Sequence, residues 1–431
     1  MTVDEQQAPE RKPDQVVDRG TADTSGSRVP RELRRLFAMA PAAASAAPLA
    51  YAAMQYFPAL QLERIDSEGK VLALALVNSL GALAAMVAQP LAGVLSDRTR
   101  TRYGSRRPWM LIGALIGAVG LIIAGLSTTV ASLVMASIVV QTGFNACQAS
   151  FNAILPDRVP RPIRGRYSTL VGFGQLLAGI GGPAVAAIFA HVIPAGYFTF
   201  AGVLVLIIVT FVAFITDGDN RETPRPPFHP SAIVKTFWGN PIRHPDFAWV
   251  WLGRFLIFSG YAMVNGFGLY IAQSYVGMSL EQAARLVPLI GVIGLPGFLV
   301  ATAIAGPLSD RIGRRKPIVF AGGVIIAASA AVPLIWPTPA GLIGNGVIAT
   351  IGVGLFVAVD QALVSEVLPS GTDFAKDLGI INLAVSLPHT VGPFLAGLLV
   401  HTFNGYGVLY AAVLITAGAG AFAVLPIKGV E

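Results

Sequence analysis

Two residues of opposite charge, Arg254 and Asp360, stand deep inside long apolar runs. A lone charge in the hydrocarbon core of a bilayer costs at least about 2.5 kcal/mol, so an ion pair between them is the arrangement of lowest energy. Counted from the nearer ends of their runs, close to 246 and 368, each lies eight residues in, about 12 Å along a helix. Such a pair can do proton chemistry. While Arg254 is its neighbour, the Asp360 carboxylate is balanced; when a bound solute draws the guanidinium away, the carboxylate can take up a proton instead, which ties proton movement to solute binding. A fixed brace between two helices would use the same two residues. Glu366 lies nearer the end of its run, and the first half of the chain has no acid at comparable depth.

A second group is polar without charge. Gln141, Asn145, Gln148 and Asn152 follow one another at intervals of four, three and four, which puts four amides on one helical face. Such a face is unfavourable against lipid and points to a cavity or to a neighbouring helix. Amides both donate and accept, which suits sugar hydroxyls, and an aromatic face such as Tyr261 can stack on a sugar ring. Gln361 corresponds to Gln148 at an offset of 213 residues, so each half carries a polar group at that level. Gln55, Asn265, Asn382 and His389 extend the candidate solute-binding set, with an interhelical hydrogen bond as the alternative role for each.

These side chains need membrane helices to position them. Hydrophobic residues make up 54% of the 431-residue chain and charged residues 12%, about half the charge fraction of a soluble domain. Twelve apolar runs are long enough to span a bilayer. The net charge of +7 is less informative than where the cations lie. Of 30 Lys and Arg, 26 fall in the tail before residue 36, the loops near 100, 160 and 314, the central linker, or at Lys376 and Lys428. With an even number of spans, this asymmetry places both termini in the cytoplasm of a multi-pass plasma (inner) membrane protein and leaves no role for nucleic acid. The tail is polar and charge-mixed, with no cleavable signal, and its composition predicts disorder.

The predicted helices cover about 37–60, 71–95, 108–127, 130–155, 168–191, 197–216, 247–275, 283–308, 317–336, 341–367, 378–402 and 406–427. Pro288 and Pro296 predict a kink in the eighth. Between the second and third helices stands Gly93-Val-Leu-Ser-Asp97-Arg98, followed by Arg100, Arg102, Arg106 and Arg107. The phrase returns 213 residues later as Gly306-Pro-Leu-Ser-Asp310-Arg311-Ile-Gly-Arg314-Arg315. Ile154-Leu155-Pro156 reappears as Val367-Leu368-Pro369 at the same offset, and Gly182-Pro183 as Gly392-Pro393 at 210. Repetition at three places divides the chain into two six-helix halves. The expected units are a tail over 1–35, a bundle over 36–216, a linker over 217–246 and a second bundle over 247–427.

A chain of six plus six helices with Gly-x-Leu-Ser-Asp-Arg-x-x-Gly-Arg-Arg phrases after its second and eighth helices resembles the major facilitator superfamily of secondary transporters. The longer first loop, from Asp97 through Arg106-Arg107-Pro108-Trp109, and Leu155-Pro-Asp157-x-Val-Pro at the end of the fourth helix, are similar to the sucrose-type and glycoside-pentoside-hexuronide cation symporters. The resemblance implies an all-α integral membrane fold, two six-helix pseudo-repeats around a central cavity lined by helices 1, 4, 7 and 10. It implies that Arg254 and Asp360 share that cavity. It also implies that Gly93, Asp97, Arg98, Arg106, Arg107, Gly306, Asp310, Arg311, Arg314 and Arg315 gate the cytoplasmic ends through charge-assisted bonds made in one state and broken in the other. Anchoring topology at anionic headgroups is the alternative use of those arginines.

The function expected is proton-coupled movement of a small polar solute, a sugar or glycoside, by a monomer without cofactor or metal. Proton-coupled export of drugs or amphipathic metabolites on the same fold is the alternative, which the polar face of helix 4 disfavours. An enzyme would need a nucleophile with its base, or a ligand set. Cys147 is a lone cysteine in an apolar run with no candidate partner, and the histidines are scattered. No Gly-x-x-x-x-Gly-Lys-Ser/Thr phosphate loop is present to drive a primary pump.

Overall fold

The structure, a computed structural model, describes residues 29–215, 218–222, 245–367 and 374–427, and within helices it leaves undescribed the side chains at 161, 361, 362, 365–367, 374–379 and 382, those of Arg161, Gln361, Glu366 and Asn382 among them. Most of the expected tail and linker, with His229 and His244, therefore lies outside the described residues. Among the described residues twelve main helices follow one another: α1 Arg34–Ile65, α2 Lys70–Arg98, α3 Arg106–Leu126, α4 Val130–Asn152, α5 Arg164–Ile188 and α6 Ile193–Phe214. The second set is α7 Pro245–Asn265, α8 Leu280–Ile312, α9 Lys316–Ser329, α10 Pro339–Val367, α11 Phe374–Phe403 and α12 Gly407–Phe422. Among the described residues eleven helical segments are long and apolar enough to cross a membrane, and α12 is an apolar helix of 16 residues.

The two sets pack by one scheme. In the first, α1 lies on α5 and α6, α4 on α2 and α3, and α3 on α6; in the second, α7 lies on α11 and α12, α10 on α8 and α9, and α9 on α12. Each of these contacts in the first set has its counterpart six helices later. The halves meet where α2 packs on α11 and α5 on α8, two contacts that exchange under the same twofold relation. Residues facing away from these contacts are large and apolar, for example Leu115, Val119, Val300 and Ile304, each more than half exposed on the outer surface. That is the pattern of helices solvated by lipid.

Three expected helices end or break elsewhere. The fourth stops at Asn152, and a separate turn covers Ile154–Arg158. The seventh is not continuous over 247–275: it stops at Asn265, and after Gly266 the chain re-forms as Gly268–Tyr270 and a π-helical Ile271–Tyr275. Two glycines around Phe267 weaken the helix here, and a Cβ on Gly266 would come within 2.9 Å of the Asn78 amide on α2. The ninth stops at Ser329 and resumes over Ala331–Ile335. Pro333 lacks an N–H and its ring crowds the carbonyl four residues back, which is Ser329. By contrast α8 runs unbroken through Pro288, Pro296 and Pro307.

Candidate functional site

The halves place a buried ion pair in the second bundle. Arg254 on α7 brings Nε to 3.0 Å from Oδ2 of Asp360 on α10, with side chains only 5% and 4% exposed. The contact is made at a single point. Its N–H is not aligned on the carboxylate as a hydrogen bond, and Nη1 has no hydrogen-bond partner. Attraction therefore holds the pair while donor capacity remains open, unlike the two-point clasp that guanidinium and carboxylate can form. One turn beyond Arg254, Phe258 meets Phe356, one turn before Asp360, edge to face with centroids 5.9 Å apart. Phe258 also lies 6.3 Å from the His389 ring on α11. Trp251 stacks on Phe255 at 5.3 Å and donates from its indole to the Ile380 carbonyl at 2.8 Å, fastening α7 to α11.

Arg254, Phe258, Tyr261 and Asn265 repeat the four-three-four spacing of the amide face on α4. The α7 face is buried at Arg254 and open at its far end, where Tyr261 is 38% exposed and Asn265 is exposed. On α4 the four amides pair along the helix. Asn145 donates to the Gln141 carbonyl at 2.8 Å and to its side-chain oxygen at 3.2 Å, and Gln148 donates to Asn152 at 3.0 Å. Gln141 on α4 and Gln55 on α1 both lie beside the Tyr51 hydroxyl of α1 and interact with it. His389 is exposed, with Nδ1 held 2.8 Å from the Val385 carbonyl; that oxygen can only accept, so the proton sits on Nδ1 and Nε2 is left as an acceptor. The expected set is thus brought together as an amide group on α1 and α4 and a charged, aromatic group on α7, α10 and α11, on opposite halves. The Gln361 and Asn382 side chains lie outside the described residues. Sequence reasoning missed Tyr51 and Phe258, although the repeated spacing would have marked the latter.

The arginine loops clasp helix ends within each half. Arg106 reaches Asp97 at the end of α2 (2.5 Å), Asp157 after α4 (2.8 Å) and the Ser96 hydroxyl (3.1 Å). Burial opposes its charge and the two carboxylates outweigh that, so the guanidinium holds its proton still more firmly than usual; Arg106 is the first residue of α3, at the aqueous end. Arg100 donates to the Asp97 carbonyl, and Arg107 to the Val212 carbonyl at the end of α6. Lys316, which stands before a proline as Arg107 does, donates to the Ile427 carbonyl beyond α12, the corresponding contact in the second half. Both loops turn through a left-handed glycine, Gly104 at φ 83° and Gly313 at φ 67°. Asp310, Arg311 and Arg314 are exposed, and a Cβ at Gly93 or Gly306 would meet nothing.

At the opposite end of the molecule the halves are bonded to each other. Tyr56 on α1 donates to the Ala284 carbonyl on α8 at 2.7 Å, and Tyr270 after α7 donates to the Ala59 carbonyl on α1 at 2.9 Å, both buried. Lys70, paired with Glu63 at 2.6 Å, lies 5.1 Å from the centre of the Tyr270 ring. The molecule is thus closed at the end remote from the arginine loops.

Solved structures of transporters share this fold. The chain superposes on a peptide transporter, POT, in complex with sulfate, with a TM-score of 0.73 at 16% identity, covering 91% of this chain and 94% of the other. For a mutant of the nucleoside transporter NupG the values are 0.72, 15%, 91% and 99%. For a bacterial homologue of the lysosomal transporter Spinster, inward-facing and occupied, they are 0.67, 14%, 93% and 96%. In sequence it is 32% identical over 148 residues to the inner membrane metabolite transport protein YgcS of Escherichia coli, a match spanning 32% of either chain. It is 34% identical over 116 residues to the sucrose transport protein SUT5 of Oryza sativa, 26% of this chain and 20% of that protein. The chain thus spans only about a third or less of the length of these curated relatives. The model of the Major Facilitator Superfamily, however, matches residues 42–305 and 297–429, nearly the whole membrane region. With twelve helices in two equivalent sets of six and a signature loop in each, the chain is a multi-pass membrane transporter of the Major Facilitator Superfamily.

Proposed function

We propose that this transporter moves a sugar or glycoside together with a proton, by alternating access, in a plasma (inner) membrane with both termini in the cytoplasm. The observation that carries the reading is the buried Arg254–Asp360 pair: a charge-neutral couple at one depth, in contact at one point, with open donors. A solute that engages Arg254 loosens Asp360, and the carboxylate then takes a proton to stay in an apolar site. The amide group of Gln55, Gln141, Asn145, Gln148 and Asn152 supplies paired donors and acceptors for hydroxyls from the other half. Gln361 and Asn382 belong to the same proposed set. Tyr261 and Asn265 continue the α7 face toward the closed end, and the aromatic ring suits the apolar face of a pyranose. The names of two relatives agree with this reading. One is the sucrose transport protein above; the other is the general alpha-glucoside permease of Schizosaccharomyces pombe, 32% identical over 77 residues, which are 18% of this chain and 14% of that protein.

The gate belongs to the same proposal. Asp97, Arg98, Arg106 and Arg107, with Gly93 before them, tie helix ends into one rigid half, and Gly306, Asp310, Arg311, Arg314 and Arg315 are the corresponding group, engaged when the arginine-loop end closes. The test is purified protein in liposomes with an external pH indicator, challenged with sugars and glycosides. Addition of a substrate alkalinises the outside, and Asp360→Asn loses uphill accumulation while retaining counterflow exchange. Full accumulation by that variant refutes the coupling role, and acidification, or a response to amphipathic drugs alone, refutes the symport reading.

A further inference from the structure

We infer that the closed end of the molecule carries a second binding site, one for a small organic ammonium ion, and that the bound ion clamps the two halves together. The site is independent of which solute crosses between the halves; only the clamp draws on the alternating access proposed above. A cavity of about 500 Å³ opens at the end remote from the arginine loops, within the usual range of small-molecule pockets. Both halves wall it: Glu68 in the turn between α1 and α2, and, from the second half, Ser274, Tyr275, His401, Asn404 and Tyr406 near the ends of α7 and α11. Three local features shape it. Gly69 donates to Oδ1 of Asp66 at 2.8 Å, which fixes the turn and leaves Glu68 exposed. The π-helical turn Ile271–Tyr275, a widened form frequent at functional sites, carries Ser274 and Tyr275, and the Tyr275 hydroxyl donates to the Pro333 carbonyl at 2.9 Å. Asn404, at φ 49°, is the only non-glycine residue with positive φ among the described residues, and it turns the chain between α11 and α12 at the cavity wall.

Charge selects the ligand. Glu68 makes no ion pair or hydrogen bond among the described residues. No lysine or arginine lines the cavity, and Lys70 next to it is taken up by Glu63 at 2.6 Å and by the Tyr270 ring. A carboxylate in a wall with two tyrosine rings suits an organic cation, which pairs with the carboxylate and rests on an aromatic face. The Asn404 amide and the Ser274 hydroxyl, beside that of Tyr406, accept from its N–H groups. A metal ion is served worse: among the described residues no three of His, Cys, Asp and Glu converge, and a bare ion leaves most of the cavity unfilled. An anion meets Glu68 with no cation in the lining to balance it. The clamp follows from the two walls. Opening this end parts α2 from α11, which are packed on each other here, and so parts Glu68 from the residues of the second half. An ion that touches both walls binds the closed form more tightly and raises its share by that difference.

The experiment titrates the full chain in detergent, by calorimetry, with matched probes: choline against 3,3-dimethyl-1-butanol, and putrescine against 1,4-butanediol. The cation of at least one pair binds about tenfold more tightly than its neutral partner, the combined reach of an exposed ion pair and a cation–π contact. Glu68→Gln, an isosteric change at an exposed position, abolishes that preference. The Arg254→Gln/Asp360→Asn double variant, stripped of its central charges, keeps it. Asn404→Gly/His401→Ala, which retains the left-handed turn and alters the second-half wall alone, weakens binding about threefold or more, the span of one lost hydrogen bond. Spin labels across the remote end report the clamp: in saturating cation the distances stay at, or move to, their short population. Failure of both cations to bind, or equal binding of cation and neutral partner, overturns the inference. So does a preference that survives Glu68→Gln or vanishes with the central charges, which puts the cation at Asp360 instead. Binding that ignores the second-half changes, or growth of the long-distance population on binding, overturns the clamp. None of the probes is a sugar and no transport is measured, so failure of the symport reading leaves this test intact.

Discussion

Removing either member of the Arg254–Asp360 pair leaves a group buried without its partner, and breaking a buried pair typically costs about 3–5 kcal/mol. Arg254→Gln and Asp360→Asn should each lower the unfolding temperature in detergent, and the double variant should recover most of the loss because it leaves no buried charge. Losses that simply add would show that the two side chains do not depend on each other. The amides respond differently. Asn145 makes its hydrogen bonds within α4, to Gln141, so Asn145→Ala should leave the unfolding temperature nearly unchanged and weaken apparent solute affinity up to about tenfold, the span of one net hydrogen bond. Unchanged affinity would remove that face from the site. This contrast follows what was legible at the level of residues. A charge inside an apolar run has very few solutions, so Arg254 and Asp360 could be paired before any coordinates were known. Tyr51 could not be found that way: on sequence a tyrosine in an apolar helix looks like packing, and only the hydroxyl's neighbours, Gln55 and Gln141, reveal its use.

Helices α3 and α4 touch backbone to backbone, and that contact depends on the absence of side chains. A Cβ at Gly143 would run into the Gly117 nitrogen and stand 2.6 Å from the Gly113 carbonyl oxygen, whereas a Cβ at Gly172 on α5 would meet nothing. Gly143→Ala should therefore destabilise by about 1–3 kcal/mol, the usual cost of forcing extra volume between packed elements. Gly172→Ala should be neutral or slightly stabilising, since alanine is the better helix former. Equal unfolding temperatures for the two variants would refute the close approach. Arg106→Gln acts on the same bundle at its charged end, releasing the tie between Asp97 and Asp157; faster proteolysis in the loops near 100 and 160 would report it, and unaltered cleavage would refute the tie. Helix existence was legible because twelve apolar runs separated by arginine loops admit one reading in a bilayer. The breaks were less so. Pro333 betrays the one at Ser329 by steric rule, but the stop at Asn265 depends on Asn78 of another helix occupying the space over Gly266, and no local pattern encodes a neighbour from the other half.

At the scale of the molecule, the repeat offsets of 213 and 210 residues carried over into packing: the main contacts within one set of six have their counterparts in the other, and α2 on α11 answers α5 on α8. Which end is closed was not legible, because under the alternating access proposed above one sequence must encode both states. The buried hydrogen bonds from Tyr56 to Ala284 and from Tyr270 to Ala59 hold the end remote from the arginine loops, and opening that end must break both. Each contributes about 0.5–1.5 kcal/mol net, and two together about 1–3 kcal/mol, roughly a 5- to 150-fold change in the ratio of the two states. The double variant Tyr56→Phe/Tyr270→Phe keeps both rings, so packing and the Lys70 contact survive while the hydroxyls are lost. Spin labels placed across the remote end should then give a longer distance population in double electron–electron resonance, and labels across the arginine-loop end a shorter one. The opposed movement separates rocking from local loosening. If the remote end lengthens while the arginine-loop end is unchanged, the two bonds only tether one rim; if neither distance moves, closure is held by the ring of Tyr270 beneath Lys70 and by the packing of α2 on α11, and the hydroxyls are incidental to the switch.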